Sequence, residues 1–261
     1  MNGTLRRIFR TPVRTVQRAH RGAQGYRFGS GLSPQPLLEP DERPRNSIEE
    51  YFDSHTVGPG IWKWQHYFEI YHRHFEQFVG RDVHVVEVGI YSGGSLGMWR
   101  HYFGPHSQVF GVDIEPKCKG YQAEGVEIWI GDQSDLAFWT EFKRRVPRID
   151  VVIDDGGHEA RQQIPTLEAL LPHISAGGVY LCEDVGTSGN PFHAYVNGLS
   201  RGLNVTGSQT TGLQQMVHSI HHYPLVTVIE KPETPMARLF APKRGTEWAP
   251  FAPGSARRRG A

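Results

Sequence analysis

The sequence predicts a doubly wound α/β fold on a mostly parallel sheet, and three observations predict it. Strand-like and helix-like segments alternate from residue 83 to residue 184. The strand candidates are short continuous apolar runs, as expected of strands covered on both faces by helices. The last two candidates, 216–223 and 225–231, are separated by Pro224 alone, too short a link for a helical crossover, so they are expected to be antiparallel neighbours. Alternation at this spacing implies right-handed crossovers and a parallel sheet. The expected strand order is 3-2-1-4-5-7-6.

Taken in order, residues 47–54 and 62–78 read as helices, the second because WKWQHYFEIYHRHFEQF places aromatics at i, i+3, i+4. VHVVEV (83–88) is strand one, followed by a helix from about Gly94 to Tyr102. QVFGVDI (108–114) and VEIWI (126–130) are strands two and three, the latter leading to a helix from about Ser134 to Arg145. DVVID (150–154), a helix from about Arg161 to His173, and VYLCED (179–184) complete the parallel part.

Outside this frame the composition changes. Residues 1–45 are rich in Arg, Gly and Pro. Leu5, Ile8, Phe9, Val13 and Val16 have the spacing of one helical face, but Pro12 is expected to break or kink it. Residues 29–44 read as loop, and the whole segment as a mobile arm or, alternatively, as an arm that packs on a partner subunit or covers the active site. Residues 46–245 are expected to form the domain, and 246–261 a flexible tail. The 261 residues suit one α/β domain with appendages. A formal net charge of +1 provides no field that would draw the chain to nucleic acid or an acidic membrane. Cys118 and Cys182, the only cysteines, make neither a disulfide framework nor a zinc site. No apolar run approaches a membrane span, and the basic start lacks the apolar core of a secretory signal. A cytoplasmic protein is expected, acting as a homo-oligomer.

Strand one runs into 87-EVGIYSGGSLGMW-99. Glycines there let the backbone turn and approach a ligand, and the next helix offers free N–H groups. The pattern is not the G-x-G-x-x-G of dinucleotide sites, and it suits a ligand with a carboxylate and an ammonium, as in S-adenosylmethionine. Glu87, Gly89, Tyr91, Ser92, Gly93 and Ser95 form the candidate cradle. Asp113, at the end of strand two, can accept both ribose hydroxyls. Asp132 and Gln133, after strand three, can reach an adenine amino group. An aspartate at a strand end is often only a helix cap, but three acidic positions on successive strand ends make a stronger signal.

Strand four ends in 153-IDDGGHEA-160 and strand five in 181-LCEDVGTS-188. Neighbouring parallel strands bring Asp154, Asp155, Glu183 and Asp184 together, although alternation sends successive residues to opposite faces. Carboxylates gathered in one cleft need a cation, and all-oxygen ligation favours Mg²⁺. His158, beyond two glycines, can accept a proton, because an imidazole titrates near neutrality. His221 and His222 read equally as sheet packing or site lining.

These stretches, with KWQHYFEIYHRHF, VVEVGIYSGGSLGMWRHYFG, GVDI, IGDQSD, IDDGGH, EDV and SIHHYP, resemble the bacterial metal-dependent sugar O-methyltransferases. That family includes macrolide-sugar enzymes and mycobacterial enzymes that methylate mannose in polymethylated polysaccharides. The resemblance covers roughly residues 47–231. It implies a class I S-adenosylmethionine methyltransferase fold, S-adenosylmethionine and Mg²⁺ as cofactors, and a saccharide or glycoside acceptor. It also implies Asp155, Glu183 and Asp184 as metal ligands, Asp155 at the cofactor's edge as well, and His158 as base. Where many relatives read EDxHTS, this chain has Gly186 before Thr187 and Ser188, which removes one expected acceptor contact. Two rival readings are a Rossmann-type sugar-nucleotide oxidoreductase, which needs a phosphate-binding glycine motif and a Tyr/Lys pair, and a non-catalytic cofactor-binding subunit, which predicts loss of the metal ligands or His158.

Overall fold

Seven short strands carry the core, and their residue choice explains their depth. In the computed structural model, which describes residues 4–34, 44–186, 190–242 and 244–245, the chain divides into two units, 1–44 and 45–261. In the first, one helix, α1, spans Thr4–Ser30. It runs through Pro12, where a break is expected. Proline's fixed φ is itself a helical value. The described side chains of α1, from Val16 onward, are exposed. The greater part of the expected loop at 29–44 and the tail at 246–261 lie outside the described residues.

The second unit begins with α2 (Ser47–Ser54) and α3 (Tyr67–Phe75). It continues through β1 (His84–Val88), α4 (Gly94–Phe103), β2 (Gln108–Asp113), β3 (Val126–Ile130) and α5 (Leu136–Arg145). Then come β4 (Ile149–Asp154), α6 (Ala160–Leu170) and β5 (Ile174–Cys182). The chain returns through α7 (Phe192–Leu203) and α8 (Gly212–Met216) to β6 (Ser219–Tyr223) and β7 (Val226–Glu230). The sheet order is β3-β2-β1-β4-β5-β7-β6. β7 pairs antiparallel with both β5 and β6, and the remaining pairs are parallel. This is the class I S-adenosylmethionine methyltransferase order that the sequence predicts.

Alternate strand residues feed two apolar layers. Val85, Val109, Val151, Ile153 and Leu181 pack beneath α3 and α4 with Tyr71, Phe75 and Trp99. Val86, Val112, Val152 and Tyr180 face α5 and α6 with Trp139 and Phe142. Burial of this kind stabilises by roughly 25 cal/mol per Å² of apolar surface.

Three expectations change. The second helix starts at Tyr67, five residues later than its aromatic spacing suggests, because residues 62–66 leave the helical path and carry Lys63 to the sheet edge. Strand five is longer than expected and starts at Ile174. The helices α7 and α8 are absent from the sequence reading, although α7 buries Phe192 and Val196 and packs Tyr195, Leu199 and Leu203 against the core at helical spacing.

Candidate active site

The carboxyl ends of β1 to β5 open into a cleft of about 1140 Å³, with the segment 60–65 on its other side. The first wall is the turn after β1. Gly89 has φ +82, and a Cβ there would lie 2.1 Å from the Asp155 carbonyl oxygen; only glycine lets the two strand ends approach so closely. Gly93 caps α4 at φ +77, and a Cβ would strike the Tyr121 ring at 2.7 Å. Tyr91 also takes a left-handed φ of 41 and is exposed. Ser92 lines the cleft. Ser95 is buried, and its hydroxyl donates to Glu87 Oε2 at 2.9 Å. Burial raises the pKa of Glu87, opposed chiefly by Lys63.

Asp113 lines the cleft and clamps the glycine turn. Its Oδ2 accepts from Ile90 N at 3.0 Å and Tyr91 N at 3.1 Å, and its Oδ1 from Glu115 N at 2.9 Å. Asp132 lines the cleft too, and accepts from Ser134 N (2.8 Å) and Oγ (2.7 Å). These bonds lower its pKa, the Ser134 amide most. Gln133 also lines the cleft, with its side-chain amide engaged by the protein. Its Nε2 donates to Asp154 Oδ1 (3.0 Å) and Thr166 Oγ1 (3.1 Å), and its Oε1 accepts from Gly157 N (2.7 Å). It braces the loop after β4.

Of the four carboxylates after β4 and β5, Asp154 and Asp155 divide as strand alternation requires, whereas Glu183 and Asp184, beyond the end of β5, both line the cleft, Asp184 with a left-handed φ of 50. Asp154 faces the α6 side, accepting from Tyr180 OH at 2.7 Å, and burial pushes its carboxyl up to about 6. Asp155 and Asp184 face the cleft. His158 Nε2 lies 4.0 Å from Asp155 Oδ1 and 3.7 Å from Asp184 Oδ2. One donor atom from each of these three residues falls within 4.8 Å of the others, a spacing that suits a single cation. His158 and Asp184 have φ values of 54 and 50. Left-handed backbone at two non-glycine residues is strain, and strain of this kind collects at functional sites. Asn190 Nδ2 holds the His158 carbonyl at 2.9 Å.

Glu183 is set deeper, 1% exposed. Its Oε1 accepts from Tyr71 OH at 2.7 Å and its Oε2 from Lys63 Nζ at 2.9 Å. Lys63 Nζ also donates to Asp155 Oδ2 at 2.5 Å. Burial lowers the pKa of Lys63, but Glu183, Asp155 and Glu87 outweigh it and hold the ammonium charged. Asp184 Oδ1 accepts from Tyr67 OH at 2.6 Å and Trp64 Nε1 at 3.0 Å.

Lys63, Trp64, Tyr67 and Tyr71 are therefore residues of the candidate site that the sequence reading missed. The signal was present in the i, i+4 pair Tyr67 and Tyr71, which puts two hydroxyls on one helix face, but aromatic periodicity reads first as core. His221 and His222 lie outside the cleft lining; His221 Nε2 is 3.2 Å from Glu230 Oε2, and His222 Nδ1 is 3.3 Å from Thr227 Oγ1.

Comparison with known proteins agrees with this layout. Residues 86–185 match a family model described as a methyltransferase domain. Demethylmacrocin O-methyltransferase of Streptomyces fradiae is 34% identical over 165 residues, 59% of this chain and 40% of that protein. The 8-demethyl-8-alpha-L-rhamnosyl tetracenomycin-C 2'-O-methyltransferase of Streptomyces olivaceus is 32% identical over 188 residues, 69% of this chain and 48% of that protein. The chain thus spans less than half the length of these curated relatives. The solved MycE methyltransferase of mycinamycin biosynthesis, in complex with Mg, SAH and mycinamycin VI, superposes with a TM-score of 0.59 at 27% identity, covering 71% of this chain and 52% of that one.

Proposed function

We propose that this chain, whose residues 86–185 are a methyltransferase domain, transfers a methyl group from S-adenosylmethionine to a saccharide hydroxyl, as a sugar O-methyltransferase assisted by Mg²⁺. The observation that carries the reading is the meeting of Asp155, His158 and Asp184 beside a cleft whose other wall is the Gly89–Ser95 turn, Asp113 and Asp132. The donor set fits a hard cation: two carboxylates converge with Glu183 behind them. A bound divalent cation would lower the pKa of a ligated acceptor hydroxyl, and S-adenosylmethionine would supply the methyl group.

The chain's own residues do the rest. Asp155, Glu183 and Asp184 hold the cation. The turn from Glu87 to Ser95 and the carboxylates of Asp113 and Asp132 hold the cofactor along the sheet edge. Gln133 supports that edge from behind, and Asp155 belongs to both halves of the site. His158 Nε2, on the open side of the carboxylates, takes the acceptor's proton. Fixing donor and acceptor in line supplies several kcal/mol of barrier reduction. Trp62, 89% exposed, and Trp64 line the same cleft and offer flat apolar faces to a pyranose ring. The relatives' printed names, which include macrolide and rhamnosyl substrates, support a glycoside acceptor, with a mannoside of a polymethylated polysaccharide as the other candidate from the sequence resemblance.

The same reading places the reaction in the cytoplasm, supported by two buried free thiols, with no nucleic-acid or membrane partner. Among the described residues no helix is long and apolar enough to cross a membrane. Self-association into a homo-oligomer is part of the proposal and is checked by light scattering. The decisive experiment pairs calorimetry with S-adenosylhomocysteine and NAD, each with and without Mg²⁺, with labelled methyl transfer to mannosides, rhamnosides and macrolide glycosides. Binding of S-adenosylhomocysteine and transfer to one glycoside class are expected. Binding of NAD instead, or no transfer across the panel, would overturn the reading.

A further inference from the structure

Lys63 is 3% exposed, yet it sits on a segment with neither helix nor strand, residues 55–66. Its ammonium lies 2.5 Å from Asp155 Oδ2, 2.9 Å from Glu183 Oε2 and 4.0 Å from Glu87 Oε1. A buried ammonium needs this compensation, and the carboxylates need the ammonium. Two of the three carboxylates are those assigned to the divalent cation. The site therefore has an outer half, where Asp155 Oδ1, His158 and Asp184 face one another, and an inner half, where Glu183 and Asp155 Oδ2 face Lys63. Glu183 has both oxygens engaged, one by Lys63 and one by Tyr71. A divalent cation ligated by Glu183 would meet a positive charge sharing the same oxygens.

We propose that Lys63 is a built-in competitor for the divalent cation: its ammonium occupies the Glu183 side of the site, and a metal ion that takes Glu183 as a ligand must displace it. The inference rests on the cation site of the proposed function and adds to it a residue that sets the metal's affinity. Displacement is feasible because Lys63 is anchored by its side chain rather than by a regular backbone ladder. Its flanking residues Trp62 and Trp64 are exposed at the cleft, so the exchange moves the wall on which an acceptor would rest.

The test is Mn²⁺ binding to the full chain, followed by electron paramagnetic resonance, in the wild type, Lys63→Met, Glu183→Gln and the double variant. Removing a competing positive charge should tighten Mn²⁺ binding in Lys63→Met by about tenfold or more. The gain should vanish in the double variant, because the exchange takes place at Glu183. Independently, acylation of wild-type Lys63 by acetic anhydride, read by mass spectrometry against the chain's other lysines, should be slow without metal and several times faster with saturating Mg²⁺. That measurement decides the matter if Lys63→Met does not fold. Equal or weaker Mn²⁺ binding in Lys63→Met, or Lys63 reactivity indifferent to Mg²⁺, overturns the proposal. Absence of Mn²⁺ binding in both wild type and Lys63→Met would overturn the cation reading itself, and this inference with it.

Discussion

His158 is held by its backbone rather than by its ring. Its carbonyl is tied to Asn190, its φ is left-handed, and its Nε2 faces the carboxylates without a hydrogen bond to either. A residue so placed can move a proton without carrying the architecture. His158→Ala should therefore keep its affinity for S-adenosylhomocysteine and for Mn²⁺ while turnover falls roughly 10²–10⁴-fold. If Mn²⁺ affinity collapses along with turnover, His158 is a ligand and the base lies elsewhere. Trp62 makes the complementary case. Its exposed indole has no structural duty, so Trp62→Ala should raise the KM for a glycoside acceptor by about tenfold and leave kcat near its wild-type value, the pattern of lost uniform binding. An unchanged KM would remove the indole from the acceptor site.

At the scale of elements, one stripe of the helix α3 (Tyr67, Tyr71 and His74, at i, i+4 and i+7) has two tasks along its length. Tyr67 and Tyr71 reach up to Asp184 and Glu183 at the site. His74, one turn further, reaches the β6–β7 pair: its Nδ1 meets Glu230 Oε1 on β7 at 2.8 Å and its Nε2 meets Tyr223 OH on β6 at 2.9 Å. Burial lowers the pKa of His74, so at neutral pH its Nδ1–H donates to Glu230 and its Nε2 accepts from Tyr223. Burial alone would raise Glu230, but the donors Ser219, His74 and His221 outweigh it and hold the carboxyl at about 2, below its ordinary 4.5. The sign follows from linkage. Between these values the unfolded chain takes up a proton that the folded chain refuses, so stability present above pH 4.5 is lost as the pH falls toward 2. Glu230→Gln should cost about 1–3 kcal/mol at neutral pH and flatten that part of the acid limb. Urea midpoints measured across the range would show it; an unaltered limb would mean that other carboxylates govern acid unfolding.

For the whole molecule, both apolar layers lie within residues 45–261, and the described side chains of α1 from Val16 onward are exposed. Stability should therefore reside in the second unit. A chain beginning at Arg45 should unfold within about 0.5 kcal/mol of the full chain, the usual range for changes that touch no core. A loss of several kcal/mol on chemical denaturation would show that the first 44 residues contribute to the folded core.

The sequence alone was enough for the succession of strands and helices and for the acidic residues gathered at the sheet's carboxyl edge. Both are written in short-range patterns: apolar runs separated by helical segments, the Pro224 link too short for a crossover, and acidic residues at the strand ends Asp113, Asp132, Asp155 and Asp184. Strand periodicity is local, and the carboxyl ends of parallel strands gather at one edge whatever the side chains do. The placement of Lys63, the turn of Asp184 to the side of Glu183, and the partners of Gln133 were left to tertiary structure. Lys63 meets Asp155 and Glu183 across 92 and 120 residues, a separation over which no periodic signal extends. Its segment reads as the start of a helix because aromatic spacing continues through it. The structure instead starts the helix at Tyr67 and leaves Lys63 at the sheet edge among three carboxylates, and only the folded chain brings those carboxylates together.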